Sequence, residues 1–108
     1  MSGRLTTGAT GATRPLSGDE QVSVLRNQIA FLEESIAELE RRVELLVDDN
    51  AEMDFLASLN ERARTGAVTD LYRENVARIE QLRSEIAAAA DDVHLYRRIL
   101  ADRFGVEA

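Results

Sequence analysis

The stretch from Val22 to Asn60, VSVLRNQIAFLEESIAELERRVELLVDDNAEMDFLASLN, decides the fold through a seven-residue repeat of apolar side chains. The two core positions of the repeat, a and d, are occupied by Val22, Ile29, Ile36, Val43, Asn50, Ala57 and by Leu25, Leu32, Leu39, Leu46, Met53, Asn60, respectively. Ten of these twelve residues are apolar. Because such a repeat places all a and d side chains on one stripe of a helix, the pattern is typical of a coiled coil. We predict an oligomer interface formed by Val22, Leu25, Ile29, Leu32, Ile36, Leu39, Val43, Leu46, Asn50, Met53 and Ala57.

Asn50 is the polar residue among the a positions. A buried Asn in a coiled coil sets the register of the helices and lowers their stability. Replacing it with Ile is therefore expected to raise thermal stability and to loosen control of the oligomer number. The flanking residues include pairs such as Asp49 and Asp54, which would repel each other across a parallel two-stranded coil. Parallel and antiparallel arrangements both remain open.

A second apolar stripe accompanies the first. Val24, Phe31, Leu45 and Leu59 share the c position of the repeat, and Val47, Phe55 and Leu56 widen the apolar surface. A stripe wider than a and d is typical of a helix that contacts more than one neighbour in a bundle. We predict a second contact face that consists of Phe31, Leu45, Phe55 and Leu59. The alternative is that these are isolated exposed apolar residues, which are common on protein surfaces.

The limits of this helix follow from its flanking residues. Ser17 and Glu20 match a capping box, so the helix is expected to start at residue 17 and to run to about residue 64. Gly66 suits a left-handed C-terminal cap, which places a turn at about residues 65–68. The a positions after the turn are shifted by one residue relative to the first repeat. Because a continuous helix would rotate its stripe by about 100° at this shift, we predict a hairpin rather than a rod.

The second helix is predicted over about residues 69–104, with Thr69 or Thr65 as N-cap and Gly105 as C-terminal cap. Its core face is expected to comprise Tyr72, Asn75, Ile79, Leu82, Ile86, Ala89, Val93, Tyr96, Leu100 and Arg103. The run from Ala87 to Ala90 indicates either high helix propensity or a close approach of two helices. Residues 17–108 thus form the predicted helical hairpin.

Residues 1–16 differ in composition, since they are rich in Gly, Ala and Thr. Such residues do not favour a stable helix. We predict an extended N-terminal arm, and two interpretations remain. The arm is either a disordered tail or a segment that docks on a neighbouring subunit.

Composition excludes several classes of function. The net charge is −7 with 13 basic residues, all Arg, so no basic patch for nucleic acid is expected. No apolar run approaches the roughly 20 residues that span a bilayer, and no signal peptide is recognisable. We expect the chain to be cytoplasmic, or part of a particle assembled in the cytoplasm. The single His94 lies near Asp91, but two ligands do not make a metal site, and no catalytic or phosphate-binding motif occurs.

The predicted fold class is all-α, a long coiled-coil helical hairpin with an extended N-terminal arm. The expected function is that of a non-catalytic structural protein that forms a homo-oligomer and serves an assembly, such as a phage capsid or tail. No cofactor, metal or small-molecule substrate is expected. The alternative is a cytoplasmic coiled-coil adaptor or regulator that binds a different helical protein.

Overall fold

The computed structural model describes residues 15–107, and this part of the chain is helical without any strand. The first helix, α1, spans Gly18–Leu59, and the second helix, α2, spans Gly66–Phe104. A short 3₁₀ turn, Glu61–Ala63, connects them. The two helices form an extended hairpin 65 Å long, which confirms the predicted fold class. Residues 1–14 of the predicted arm lie outside the described residues.

Helix α1 begins with the predicted capping box. The backbone N–H of Glu20 donates to Ser17 Oγ at 3.1 Å, and the Ser17 N–H donates to Glu20 Oε1 at 2.9 Å. Asp19 and Glu20 also place negative charge at the positive end of the helix dipole. The start of the helix is thus determined by local sequence, as expected.

The turn differs from the prediction, because α1 ends at Leu59 rather than near residue 64. Asn60 takes an extended conformation there, and its side-chain Oδ1 accepts from the N–H of Arg62 at 3.0 Å. Thr65 then caps α2 through Oγ1, which accepts from the N–H of Val68 at 3.2 Å. The expected left-handed cap at Gly66 is therefore wrong. Asn60 ends α1 without a left-handed residue, and Gly66 is the first residue of α2.

The end of α2 matches the prediction. Gly105 has a φ of 62°, and it is the single glycine within residues 15–107 whose φ is positive. Its N–H donates to the carbonyls at the end of the helix, and the N–H of Val106 donates to the Leu100 carbonyl at 3.0 Å. Because a residue with a Cβ is strained in this conformation, a glycine is favoured at this position.

The core is one thin layer between the two helices. Its fully buried side chains are Leu82 and Leu100, which are 1% and 0% exposed. Along α1, every predicted a and d residue except Asn60 is buried or half-buried, and along α2 Arg103 is the one exposed member of the predicted core face. The heptad pattern thus located both faces of the interface. A pair of helices covers one stripe on each, so much apolar surface remains outside this layer.

Candidate interaction surfaces

The apolar stripe of α1 contacts α2 of the same chain. Ile29 is buried in a cluster with Val93 and Leu100. The half-buried residues packed against this cluster are Val22, Leu25, Leu32, Ile36, Tyr96 and Phe104. The residues predicted as an oligomer interface therefore already have an intramolecular partner. A contact of this stripe with other chains stays a prediction, since the structure contains one chain.

Two asparagines are buried together in this layer. Asn50 is 7% exposed and Asn75 is 8% exposed. The Asn75 amide donates to Asn50 Oδ1 at 2.9 Å, and the Asn50 amide is 3.4 Å from the backbone carbonyl of Tyr72. Asn50 thus has a polar partner in its own chain. Sequence analysis placed both residues on core faces but did not pair them, although two polar residues on facing stripes are a recognisable signal.

The expected effect of replacing Asn50 with Ile changes accordingly. In a symmetric coiled coil the substitution would remove the polar groups of both helices at once. Here it would leave the buried Asn75 amide without its acceptor. An unpaired buried polar group costs about 1–3 kcal/mol, so the single substitution is expected to destabilise the hairpin.

The hairpin has two broad faces of different character. With about 100° between successive residues, c and g positions lie on one flank of each helix, and b and e positions on the other. Phe31, Ser35 and Arg42 of α1 line a groove together with Glu85 of α2, so the c and g flanks of both helices lie on the same side. We call this side the c/g face. The opposite side, the b/e face, carries the ion pair between Glu33 and Arg97.

Most of the exposed large apolar side chains lie on the c/g face. Eleven such side chains occur within residues 15–107. Those on the c/g face are Val24, Phe31, Leu45, Leu56, Leu59, Leu71 and Leu95. Phe31, Leu45 and Leu59, three residues of the predicted second contact face, are 65%, 66% and 68% exposed. The fourth, Phe55, is also exposed and lies at the neighbouring f position.

A groove of about 360 Å³ lies near the turn, between α1 and α2. Its lining includes Met53, Ala57, Arg64, Val68, Thr69, Tyr72, Arg73 and Val76. The hydroxyl of Tyr72 donates to Asp54 Oδ2 at 3.1 Å. This hydrogen bond and the negative charge of Asp54 raise the pKa of Tyr72 above its usual value of 10.0, because both favour the protonated phenol. Sequence analysis did not single out this pair.

The described residues bring no cluster of metal-ligating side chains together. Within residues 15–107 no group of three or more His, Cys, Asp or Glu side chains has a geometry suited to a metal ion. His94 lines a shallow groove with Glu33 and Arg97 on the b/e face. Neither α1 nor α2 contains an apolar stretch long enough to cross a membrane.

Comparisons with known proteins identify no relative of this chain. No family model matches it, and neither a curated protein nor a solved structure matches it. The surfaces of the hairpin are therefore the features from which its function is inferred.

Proposed function

We propose that the protein is a non-catalytic structural subunit that associates with further copies of itself. The observation that supports this proposal is the c/g face, on which seven large apolar side chains are exposed in the single chain. Surfaces of this kind mark interaction sites in soluble proteins, because contiguous exposed apolar area is unfavourable in water. Burial of such area in an interface stabilises the complex by about 25 cal/mol for each Å² of apolar surface.

The thin core provides a second reason. Six apolar residues within residues 15–107 are buried, whereas eleven large apolar residues are exposed. A chain of 108 residues that forms an extended hairpin buries little surface compared with a compact domain. Association with other helices adds the missing burial. Four-helix bundles provide it with the same kind of stripe that α1 carries.

We also propose that the protein is a subunit of a larger repetitive assembly made in the cytoplasm, such as a phage capsid or tail. An extended helical hairpin that is preceded by a Gly/Ala/Thr-rich segment of 16 residues is suited to such a role. By analogy with subunits that combine a helical stalk with an extended arm, the helices would space the subunits and the preceding segment would tie neighbours together.

A second candidate function is that of an adaptor for a different helical protein. It is favoured by the charge of α1, which carries eleven Asp and Glu against three Arg between residues 18 and 59. Phe31 and Phe55 are exposed on this acidic helix and would serve as anchors for a partner. Such a partner would present a basic helix with apolar residues at matching spacing.

Light scattering separates the two functions. The absolute mass of the purified chain is measured over a hundredfold range of concentration. A constant multiple of 12.0 kDa is expected for a self-associating subunit. A constant 12.0 kDa would contradict self-association and favour the adaptor.

A further inference from the structure

We infer that the c/g face binds the same face of a second copy, with the turns of both hairpins at the same end. In this arrangement α1 of each copy lies over α2 of the other, and the result is a four-helix bundle. The inference rests on the proposed self-association and specifies its surface and direction. It is carried by the order of apolar and charged residues along the face.

Contacts within the hairpin show which residues of α1 and α2 lie at the same height along the axis. Asp54 bonds to Tyr72, Asn50 bonds to Asn75, and Glu33 pairs with Arg97. In a dimer with its twofold axis along the hairpin, both copies keep the same heights. A residue of α1 then lies over those residues of the partner's α2 that are level with it in its own chain.

Five of the seven large apolar residues of the c/g face form two bands at matching heights, and the other two, Val24 and Leu45, lie outside these bands. Leu56 and Leu59 near the end of α1 are level with Leu71 near the start of α2, and they form the turn band. Phe31 is level with Leu95, and they form the open-end band. With both turns at one end, Leu59 lies over Leu71 of the partner subunit and Phe31 lies over Leu95 of the partner subunit. Each apolar band of α1 thus covers an apolar band of α2.

Charged residues occupy the g positions between the bands, and they are complementary in the same arrangement. Arg42 is level with Glu85, with which it lines one groove. Asp49 lies one heptad further along α1 and is level with Arg78. In the dimer, Arg42 therefore lies over Glu85 of the partner subunit and Asp49 lies over Arg78 of the partner subunit. Opposite charges at this spacing favour the pairing and set its register.

The reversed arrangement fits less well. With the turns at opposite ends, α1 lies over α1 of the second copy, and the charged residues of its c/g face meet the same set; these are Glu38, Arg42, Asp49 and Glu52. If Val24 is aligned with Leu59 of the partner subunit in that arrangement, the next c position, Phe31, faces Glu52 of the partner subunit. An apolar ring then lies against a carboxylate. The arrangement with α1 over α2 places Phe31 over Leu95 of the partner subunit and gives Arg42 and Asp49 partners of opposite charge, while Glu52 lies over Glu74 of the partner subunit.

The available area is sufficient for a stable dimer. The hairpin is 65 Å long, and two helices side by side are about 20 Å wide, which gives a footprint of roughly 1,300 Å² on each copy. A typical stable interface needs about 800 Å² on each partner. A second copy is therefore an occupant of matching length, chemistry and area.

Substitutions on the two broad faces test the assignment of the surface. Phe31→Gln with Leu59→Gln removes one exposed apolar side chain from each band without a change in charge. The matched control is Val47→Gln with Val76→Gln on the b/e face, where these residues are 40% and 39% exposed. The dissociation constant of the dimer is expected to rise at least a hundredfold in the first variant and less than threefold in the control. Helix content, measured by circular dichroism, should stay unchanged in both.

The outcomes distinguish the inference from the proposed function. If the natural chain is oligomeric but the Phe31 and Leu59 variant keeps its mass, the c/g face is not the interface, although self-association stands. If the natural chain is monomeric, both the inference and the proposed function fail. Loss of association in the variant alone supports both.

The direction is tested by a distance measurement. The chain contains no Cys, so Arg62→Cys places a single spin label at the turn. With the turns together, the two labels in a dimer are expected within about 30 Å, because the layers of a helix bundle are about 10 Å apart. A distance near the 65 Å length of the hairpin would overturn the proposed direction.

Discussion

At the residue scale, the buried pair of Asn50 and Asn75 ties the two helices together in one register. Each side chain has a polar partner in the hairpin, since the Asn75 amide donates to Asn50 Oδ1 and the Asn50 amide lies near a backbone carbonyl of α2. A shift of α2 by one turn would separate the two side chains and leave both buried without a partner. The pair therefore adds specificity to a core whose apolar residues alone tolerate several registers.

A comparison of single and double substitutions tests this role. Asn50→Leu is expected to lower the free energy of unfolding by about 1–3 kcal/mol, because Asn75 stays buried without its acceptor. Asn50→Leu combined with Asn75→Leu is expected to regain that loss, since both polar groups are then replaced by apolar side chains. Urea denaturation at one protein concentration measures both variants. A single variant as stable as the natural chain would contradict the pairing.

Tyr72 provides a second test at the residue scale. In a Tyr96→Phe background, Tyr72 is the remaining tyrosine, and its ionisation is followed by near-ultraviolet absorbance. Its pKa is expected to lie above 10.0, because Asp54 accepts its hydrogen bond and repels the phenolate. Asp54→Asn should move the pKa down towards 10.0. Equal pKa values with and without Asp54→Asn would show that the hydrogen bond is not formed in solution.

The hydrogen bond between Tyr72 and Asp54 also predicts how the stability of the fold changes with pH. The pKa of Tyr72 is higher in the folded chain than in the unfolded chain, so folding favours the protonated phenol. This contribution is fully present below the unfolded pKa of about 10 and is lost as the pH rises through the folded pKa. Tyr72→Phe should therefore flatten the alkaline part of the stability profile.

At the element scale, two glycines with different roles test how the helices end. Gly105→Ala is expected to cost about 1 kcal/mol, because the residue holds a φ of 62° that a Cβ strains. Gly66→Ala is expected to stabilise the chain by roughly 0.4–1 kcal/mol, since Gly66 is helical and Ala restricts the unfolded state. An added Cβ meets no atom within 4 Å at either site, so steric clash does not confuse the comparison. A loss of stability in both variants would indicate that Gly66 is a left-handed cap, as the sequence predicted, and not a helical residue.

The helices and their facing stripes were predictable from sequence because their causes are local. The Ser17 capping box, the Gly105 cap and the heptad spacing each depend on a few neighbouring residues, and the structure contains all of them. The end of α1 was not predicted, since Asn60 was interpreted as a d residue although Asn is also a good cap. Its side chain bonds to the turn rather than to the core. Where one residue satisfies two patterns, the spacing alone does not decide between them.

At the scale of the whole molecule, the heptad pattern does not specify which helix covers which stripe. An a/d stripe is the same in sequence whether its partner lies in the same chain or in another. The turn distinguishes an internal partner from a partner in another chain, because it folds α2 back onto α1. The structure therefore assigns the stripe of α1 to an internal contact and leaves both broad faces uncovered, of which the c/g face carries most of the exposed large apolar residues. Under the proposed self-association, the outer c positions, unlike the a and d positions, carry the signal for a partner.

The turn itself is expected to decide between a hairpin and a rod. Two features hold it: the Asn60 and Thr65 caps, and the one-residue shift between the repeats of α1 and α2. Deleting Gly66 restores one continuous heptad phase, and Asn60→Ala with Thr65→Ala removes the caps. The combined variant is expected to form one helix of about 130 Å, at 1.5 Å per residue, that pairs with an antiparallel copy. Its core contacts would then be those of the hairpin, made between two chains.

Small-angle scattering measures this change directly. The maximum dimension is expected to rise from near 65 Å, the length of the hairpin, to roughly twice that value. The control carries Asn60→Ala and Thr65→Ala but keeps Gly66, so that the phase shift alone opposes a continuous helix. We expect this control to remain a hairpin with lower stability, because a straight helix would turn the stripe of α2 away from that of α1 by about 100°. A rod-like control would mean that the caps alone hold the turn, and a compact deletion variant would mean that neither feature does.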